Sequence, residues 1–105
     1  MTPAQYIAHL QTAIKATHGV ESRHVETVAV VETYQGKTVW EGDVEVFDLI
    51  GHPKAKRAYA WAYDHQTGSR TLAVLELPPV ISPKTAVQVA IAGQIRAVEK
   101  ANKSN

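Results

Sequence analysis

Three carboxylates alternate along one predicted strand. Glu41, Asp43 and Glu45 occupy every second position, and side chains at that spacing share one face of a strand. Carboxylate oxygens are the ligands that Ca²⁺ and Mg²⁺ take in proteins, and a carboxylate beside a histidine can perform acid–base chemistry. A charged sheet face gives the same pattern. We favour that simpler interpretation because the sequence predicts no concave pocket around the row.

A second group of candidates is basic. The segment GHPKAKR, residues 51–57, places several hydrogen-bond donors in a short span, which suits a phosphate or carboxylate group. The predicted anion-binding or nucleic-acid-binding residues are His52, Lys54, Lys56 and Arg57. The alternative interpretation is a solvated turn, because residues 21–50 carry seven acids against two bases and would balance these charges from a neighbouring strand.

Other catalytic and metal-binding patterns are missing from the sequence. The chain has no cysteine, which excludes disulfides, zinc knuckles and thiol nucleophiles. None of its five histidines lies in the helical metal-binding pattern with a glutamate between two histidines. Neither a glycine-rich phosphate loop nor a G-x-S-x-G motif occurs. We therefore predict no catalytic residue, no metal and no cofactor, and we favour a protein that is not an enzyme.

The elements that must position these residues follow from the hydrophobic pattern. The chain of 105 residues is 45% hydrophobic, which fits one globular domain over residues 1–105. Capping residues and apolar stripes predict helices at about 3–18 and about 83–100. Runs rich in β-branched and aromatic residues predict hairpins at about 24–49 and about 56–77.

This order predicts an α+β domain, α-β-β-β-β-α, whose four-stranded antiparallel meander has both helices packed on one face. A turn at Gln35-Gly36 would pair Tyr34 with Lys37 and place Val31 opposite Trp40. In the next connection, pairing Leu49 with Lys56 sends the aromatic side of AYAWAY into the core. A slip of one residue would instead expose Tyr59, Trp61 and Tyr63, and we favour the buried register.

With both helices on one face, the other face of the sheet would hold a broad apolar strip. Its predicted interface residues are Val28, Val30, Ala60, Leu72 and Val74. A monomer rarely exposes so large a strip, so the pattern predicts a homodimer formed through this face or through an edge strand. The alternative is that scattered alanines and valines are tolerated on a sheet surface.

Two resemblances add to this interpretation. The helix–strands–helix order resembles the double-stranded RNA-binding domain, although that family has three strands and a lysine-rich start to its last helix, where SPKTAVQVA offers only Lys84. The segment TVWEGDVEVFDLIGHPKAKRAYAW resembles the central part of small bacterial proteins of unknown function. That second resemblance implies a bacterial domain and no particular activity.

The sequence therefore predicts a small binding or interaction module that associates with itself. The alternatives are nucleic-acid binding through residues 51–57, and a small-ligand binder or enzyme that uses Trp40, Tyr59, Trp61 or the carboxylate row. The net charge of +1 favours no particular partner. The start of the chain lacks the pattern of a secretion signal, and no apolar run has the length of a membrane helix, so we expect a cytoplasmic protein.

Overall fold

The predicted α+β class and element order are confirmed. The computed structural model describes residues 2–65 and 68–103, and at 64, 65 and 94–103 it describes the backbone alone. The predicted loop of the second hairpin therefore lies partly outside the described residues. The elements are α1 (Pro3–His18), β1 (Glu21–Tyr34), β2 (Lys37–Ile50), β3 (Arg57–His65), β4 (Gly68–Leu75) and α2 (Pro83–Lys103). The strands form one antiparallel sheet in the order β1-β2-β3-β4.

Both ends of α1 are fixed by local hydrogen bonds. The Thr2 hydroxyl accepts from the Gln5 amide, and the Gln5 side chain accepts from the Thr2 amide, which together form a capping box. At the other end Gly19 adopts the left-handed conformation, with φ of 74°, and its N–H donates to the Lys15 carbonyl. The first turn of α1, which carries Tyr6, is therefore held at a defined place.

The long β1–β2 hairpin contains the predicted turn and an unpredicted bulge. Gln35 and Gly36 both have positive φ, and Tyr34 pairs with Lys37 as expected. Between Glu32 and Thr33 the register shifts, so Val31 lies opposite Glu41 and not opposite Trp40. That part of the predicted register is wrong, because one extra residue in β2 shifts the pairing by one from Glu32 to Glu26, until a second irregularity before His24 restores it.

One face of the sheet is covered by α1. Leu10 and Ile14 are fully buried in a cluster with Phe47, Ala58 and Ala60. The two alanines are small, so the helix can approach the sheet closely at β3.

The other face of the sheet is covered by α2 and the segment before it. Its cluster comprises Val30, Val44, Val46, Tyr59, Trp61, Val80, Ala86 and Val87. Neighbouring residues of a strand point to opposite faces, so Ala58 beneath α1 and Tyr59 beneath α2 place the two helices on opposite faces. Their predicted position on one face is therefore wrong. The predicted burial of Tyr59 and Trp61 is confirmed, because both are 2% exposed.

Within residues 2–65 and 68–103, no helix is both long enough and apolar enough to span a bilayer.

Candidate functional site: a cleft between diverging strands

The sheet splits between its two central strands. β2 and β3 pair from Asp48 opposite Arg57 to Glu45 opposite Ala60, and the ladder stops there. Beyond that point β2 continues with β1 as far as Lys37, while β3 continues with β4 as far as His65. The two strand edges diverge and enclose a cleft of about 640 Å³, which is within the usual range of ligand pockets.

Tyr6 of α1 stands at the point of divergence. Its hydroxyl oxygen accepts a hydrogen bond of 3.0 Å from the Ala62 amide. Ala62 is two residues beyond the last paired residue, Ala60, so its N–H faces β2. The Asp43 carbonyl would accept this bond if the ladder continued. The Tyr6 hydroxyl therefore satisfies a strand amide that β2 leaves unpaired, and the capping box of α1 holds it there.

The charged residues of the cleft are all acidic. Glu41 and Asp43 are exposed at its edge, and Glu45 is buried at its base. Among the described residues that line the cleft there is no lysine, arginine or histidine. The negative charges therefore have no cationic neighbour within the lining and favour a positively charged ligand.

Three aromatic side chains complete the lining, namely Tyr6, Trp40 and Tyr63. Trp40 packs edge-to-face against the buried Trp61, with ring centroids 5.8 Å apart. The Trp40 ring also lies over Gly42, where an added Cβ would come within 3.2 Å of the ring. A glycine at this strand position therefore lets the indole lie against the backbone at the cleft.

Glu45 is the most constrained of the three carboxylates. It is 5% exposed, and one oxygen, Oε1, accepts a hydrogen bond from His24 Nε2 at 2.8 Å and another from the Thr27 hydroxyl. The His24 ring is itself packed edge-on against Phe47. Within the described part of the chain, no hydrogen bond is made to the second oxygen, Oε2. The pair of donors thus fixes the carboxylate and leaves Oε2 for a ligand.

The carboxylate row does not form a metal cage. Residues two apart on a strand are separated by roughly 6.6 Å along its axis, so three carboxylates in a row cannot converge on one ion. Among the side chains that the structure describes, at residues 2–63 and 68–93, no group of three or more His, Asp or Glu has the placement to hold a metal. The structure does bring a histidine to the row, since His24 reaches Glu45.

The predicted basic site is partly engaged in the fold. The Arg57 Nε group donates to Asp48 Oδ1 at 3.2 Å, and Arg23 donates to Asp48 Oδ2, also at 3.2 Å. His52 uses Nδ1 to accept from the amides of Lys54 and Ala55, so the ring caps the turn.

The other two predicted residues are more accessible. The side chains of Lys54 and Lys56 are exposed, and neither ammonium group makes a hydrogen bond or ion pair with the side chains described at residues 2–63 and 68–93. Nucleic-acid binding at this segment stays a prediction that depends mainly on these two lysines.

The five residues predicted as a dimer interface lie elsewhere than expected. Ala60 is fully buried beneath α1, and Val30 is 5% exposed on the opposite face. Val28, Leu72 and Val74 are half-buried against the α2 cluster. Because helices cover both faces, the apolar strip on which this expectation depended is part of the core.

The two edges of the sheet differ in how they are covered. On β4, the Ala73 carbonyl accepts from His18 Nε2 at 2.8 Å, and Thr71 forms a hydrogen bond with His9. Both histidines belong to α1, which therefore closes this edge. On β1, the backbone groups of Ala29 and Val31 face outward, and within the described residues no hydrogen bond to them is found. They border a groove of about 350 Å³ beside the start of α2.

Comparisons of the chain with known protein families, with curated protein sequences and with solved structures found no match. The proposed function therefore depends on the residues that line the cleft.

Sequence reasoning missed the cleft and the role of Tyr6. Two signals point towards it. Gly42 interrupts a strand of large residues, which indicates a close approach of some group to the backbone. The capping box at Thr2 and Gln5 fixes the first turn of α1 and so gives Tyr6 a defined direction.

Proposed function

We propose that the protein is a binding module and that the cleft between β2 and β3 takes a ligand with a positively charged group, such as an ammonium or guanidinium. The observation that carries this proposal is the lining, which combines three carboxylates with three aromatic rings and, in the described residues, has no basic side chain. Among the described lining residues, no side chain carries a positive charge for a phosphate or a carboxylate ligand.

The two kinds of lining residue act on a cation in complementary ways. A cation over the face of a tryptophan or tyrosine is attracted by the negative face of the ring. Glu41 and Asp43 add direct charge, and a guanidinium can bind a carboxylate through two parallel hydrogen bonds. Oε2 of Glu45 offers a third acceptor at the base of the cleft, where its surroundings exclude most of the water. Charge and shape together therefore select a flat or compact organic cation.

The test is calorimetric titration with two matched ligands, N-acetyl-arginine amide and N-acetyl-citrulline amide. Citrulline has nearly the same shape as arginine and lacks the charge. We expect the arginine compound to bind and the citrulline compound to bind at least tenfold more weakly, since charge-assisted bonds are about twice as strong as neutral ones.

The charge variant for the same titration is Glu41→Gln with Asp43→Asn. Both side chains are exposed, so the fold should tolerate the change, and the arginine compound should lose about tenfold in affinity. Glu21→Gln is the control, because this exposed carboxylate lies outside the cleft. Equal binding of citrulline, or unchanged affinity in the double variant, would refute the proposal.

Self-association is a second candidate, favoured by the open edge of β1. The backbone groups of Ala29 and Val31 face outward there, and Val31 is 52% exposed, whereas α1 closes the edge of β4. Two copies that pair along β1 would form an isologous dimer. We expect sedimentation to show a mass that rises with concentration, and Val31→Lys to keep the monomer, because a lysine on an edge opposes pairing. A monomer at every concentration would remove this candidate.

The cytoplasmic location stays a prediction, and the cysteine-free composition is compatible with it.

A further inference from the structure

The edge of β2 at the cleft offers unpaired backbone groups. In β2, the Leu49 amide donates to the Lys56 carbonyl, so the odd-numbered residues direct their backbone groups towards β3. Glu41 and Asp43 continue this alternation beyond the last paired residue, Glu45. Their N–H and C=O groups therefore face the cleft, and within residues 2–65 and 68–103 no hydrogen bond to them is found.

The opposite edge of the cleft is not equally available. On β3, the first amide beyond the ladder belongs to Ala62, and the Tyr6 hydroxyl already binds it. A strand that enters the cleft would therefore pair with β2, in the place that β3 vacates, and would run antiparallel to β2.

We propose that the partner is an extended peptide segment that adds to β2 as a strand and carries basic side chains at alternate positions, opposite Glu41 and Asp43. This inference depends on the proposed cation preference of the cleft. Residues directly opposite each other in antiparallel strands share a face, with Cβ atoms about 4.5–5.5 Å apart. That distance brings each basic side chain within reach of one carboxylate.

The residue between the two basic positions is also specified. It would point to the other face of the strand, opposite Gly42, where the Trp40 ring lies against the backbone. An apolar side chain fits that position because it can pack on the indole without leaving a polar group unpaired. The motif that the cleft would recognise is therefore basic–apolar–basic in an extended conformation, a mode in which backbone bonds give affinity and alternate side chains give specificity.

Four peptides, each with two threonines, two lysines and one valine, test the inference by calorimetric titration at low salt. The first is acetyl-Thr-Lys-Val-Lys-Thr-amide, which has alternate lysines, and the second is the permuted acetyl-Thr-Val-Lys-Lys-Thr-amide. The third peptide has the sequence of the first, with the backbone amides of both lysines N-methylated. The residues opposite Glu41 and Asp43 direct these N–H groups at β2. The matched control N-methylates the valine amide, which points away from β2.

We expect the alternating peptide and the valine-methylated control to bind within about twofold of each other. The permuted peptide should bind about fivefold more weakly and the lysine-methylated peptide at least tenfold more weakly. The amides of Glu41 and Asp43 should also become protected from hydrogen exchange in the complex.

Other outcomes separate this inference from the function on which it depends. If all peptides bind equally and Glu41→Gln with Asp43→Asn weakens them all, strand addition is overturned and the cation site stands. Strand addition is likewise overturned if only N-acetyl-arginine amide binds. If neither the peptides nor the arginine compound binds, both proposals fail together.

Discussion

The two halves of β2 differ in how they pair with neighbouring strands and in how far they are covered. Residues 45–48 pair on both sides and lie between two helices, and four consecutive residues there are buried, from Val44 to Phe47. Residues 37–43 pair on one side only and present acidic and aromatic side chains to the cleft.

The difference between these halves follows from what each half meets across the sheet. Beside residues 45–48 of β2, the small residues Ala58 and Ala60 of β3 let α1 approach closely. Beside residues 37–43 of β2, the Tyr6 hydroxyl takes the place of a strand carbonyl. On the face of the sheet that α2 covers, Trp40 and Trp61 pack against each other. Two register shifts interrupt the β1–β2 hairpin, and irregularities of this kind increase the local twist of a strand pair. The sheet is therefore paired on both sides of β2 where the helices cover it, and open where β3 leaves β2.

The largest effect is expected in the covered half. Phe47→Ala removes a fully buried side chain of β2 and should lower the free energy of unfolding by about 3–5 kcal/mol. Val39→Ala, in the open half of β2, changes an exposed side chain and should stay within about 0.5 kcal/mol. Urea titration of both variants measures the contrast. Similar losses for the two would mean that the halves do not differ as described.

A second test fills the space beneath α1. Ala60→Leu adds bulk where the helix meets the sheet, and overpacking of this kind costs about 1–3 kcal/mol. Ala29→Leu makes the same change at an exposed position of β1 and serves as the control. A stable Ala60→Leu variant with an undisturbed α1, judged by its amide shifts, would contradict the close approach of the helix.

The third prediction concerns pH and the buried Tyr59. Burial and the hydrogen bond that the Tyr59 hydroxyl donates to Glu76 raise the pKa of Tyr59 above its ordinary value near 10. Above pH 10 the unfolded chain therefore releases this proton while the folded chain keeps it. The stabilisation is complete below pH 10 and is lost as the pH rises further, by about 1 kcal/mol between pH 10 and 11.

Tyr59→Phe isolates this contribution from other titrating groups such as Lys15, whose pKa is raised by its hydrogen bond with Glu21. The difference in unfolding free energy between wild type and variant, measured by urea titration, should shrink from pH 9 to pH 11. A difference that is independent of pH would show that Tyr59 titrates alike in both states.

The smallest effect is expected at the point of divergence. Tyr6→Phe removes the acceptor for the Ala62 amide and should lower stability by about 0.5–1 kcal/mol, since water in the cleft can replace it. Hydrogen exchange at Ala62 should accelerate, while exchange at Ala60, which pairs with Glu45, should not change. Equal acceleration at both amides would mean that Tyr6 supports the whole ladder and does not act locally.

Local patterns predicted much of this fold. Caps, turn residues and β-branched runs specified all six elements in order, and the turn at Gln35-Gly36 specified the pairing of Tyr34 with Lys37. The bulge beside Glu32 left no such signal, because a single extra residue changes no propensity and yet reverses the faces of the strand.

The cleft was harder to predict because it forms where β2 and β3 stop pairing. Glu41, Asp43 and Glu45 were identified as a row, but their use depends on β3 leaving β2 after Ala60. The sequence pattern predicts Ala60 on an open face, because both helices are predicted to cover the aromatic side of the sheet. The structure instead packs Leu10 and Ile14 of α1 against Ala58 and Ala60.

The most direct test of the central claim is an amide chemical-shift map of the ¹⁵N-labelled protein titrated with N-acetyl-arginine amide. The cleft predicts saturable shifts at residues 40–43, at Ala62 and Tyr63 and at Tyr6, which vanish in the Glu41→Gln, Asp43→Asn variant. Shifts confined to residues 51–57, or an unchanged map in that variant, would contradict the claim that this cleft binds cations.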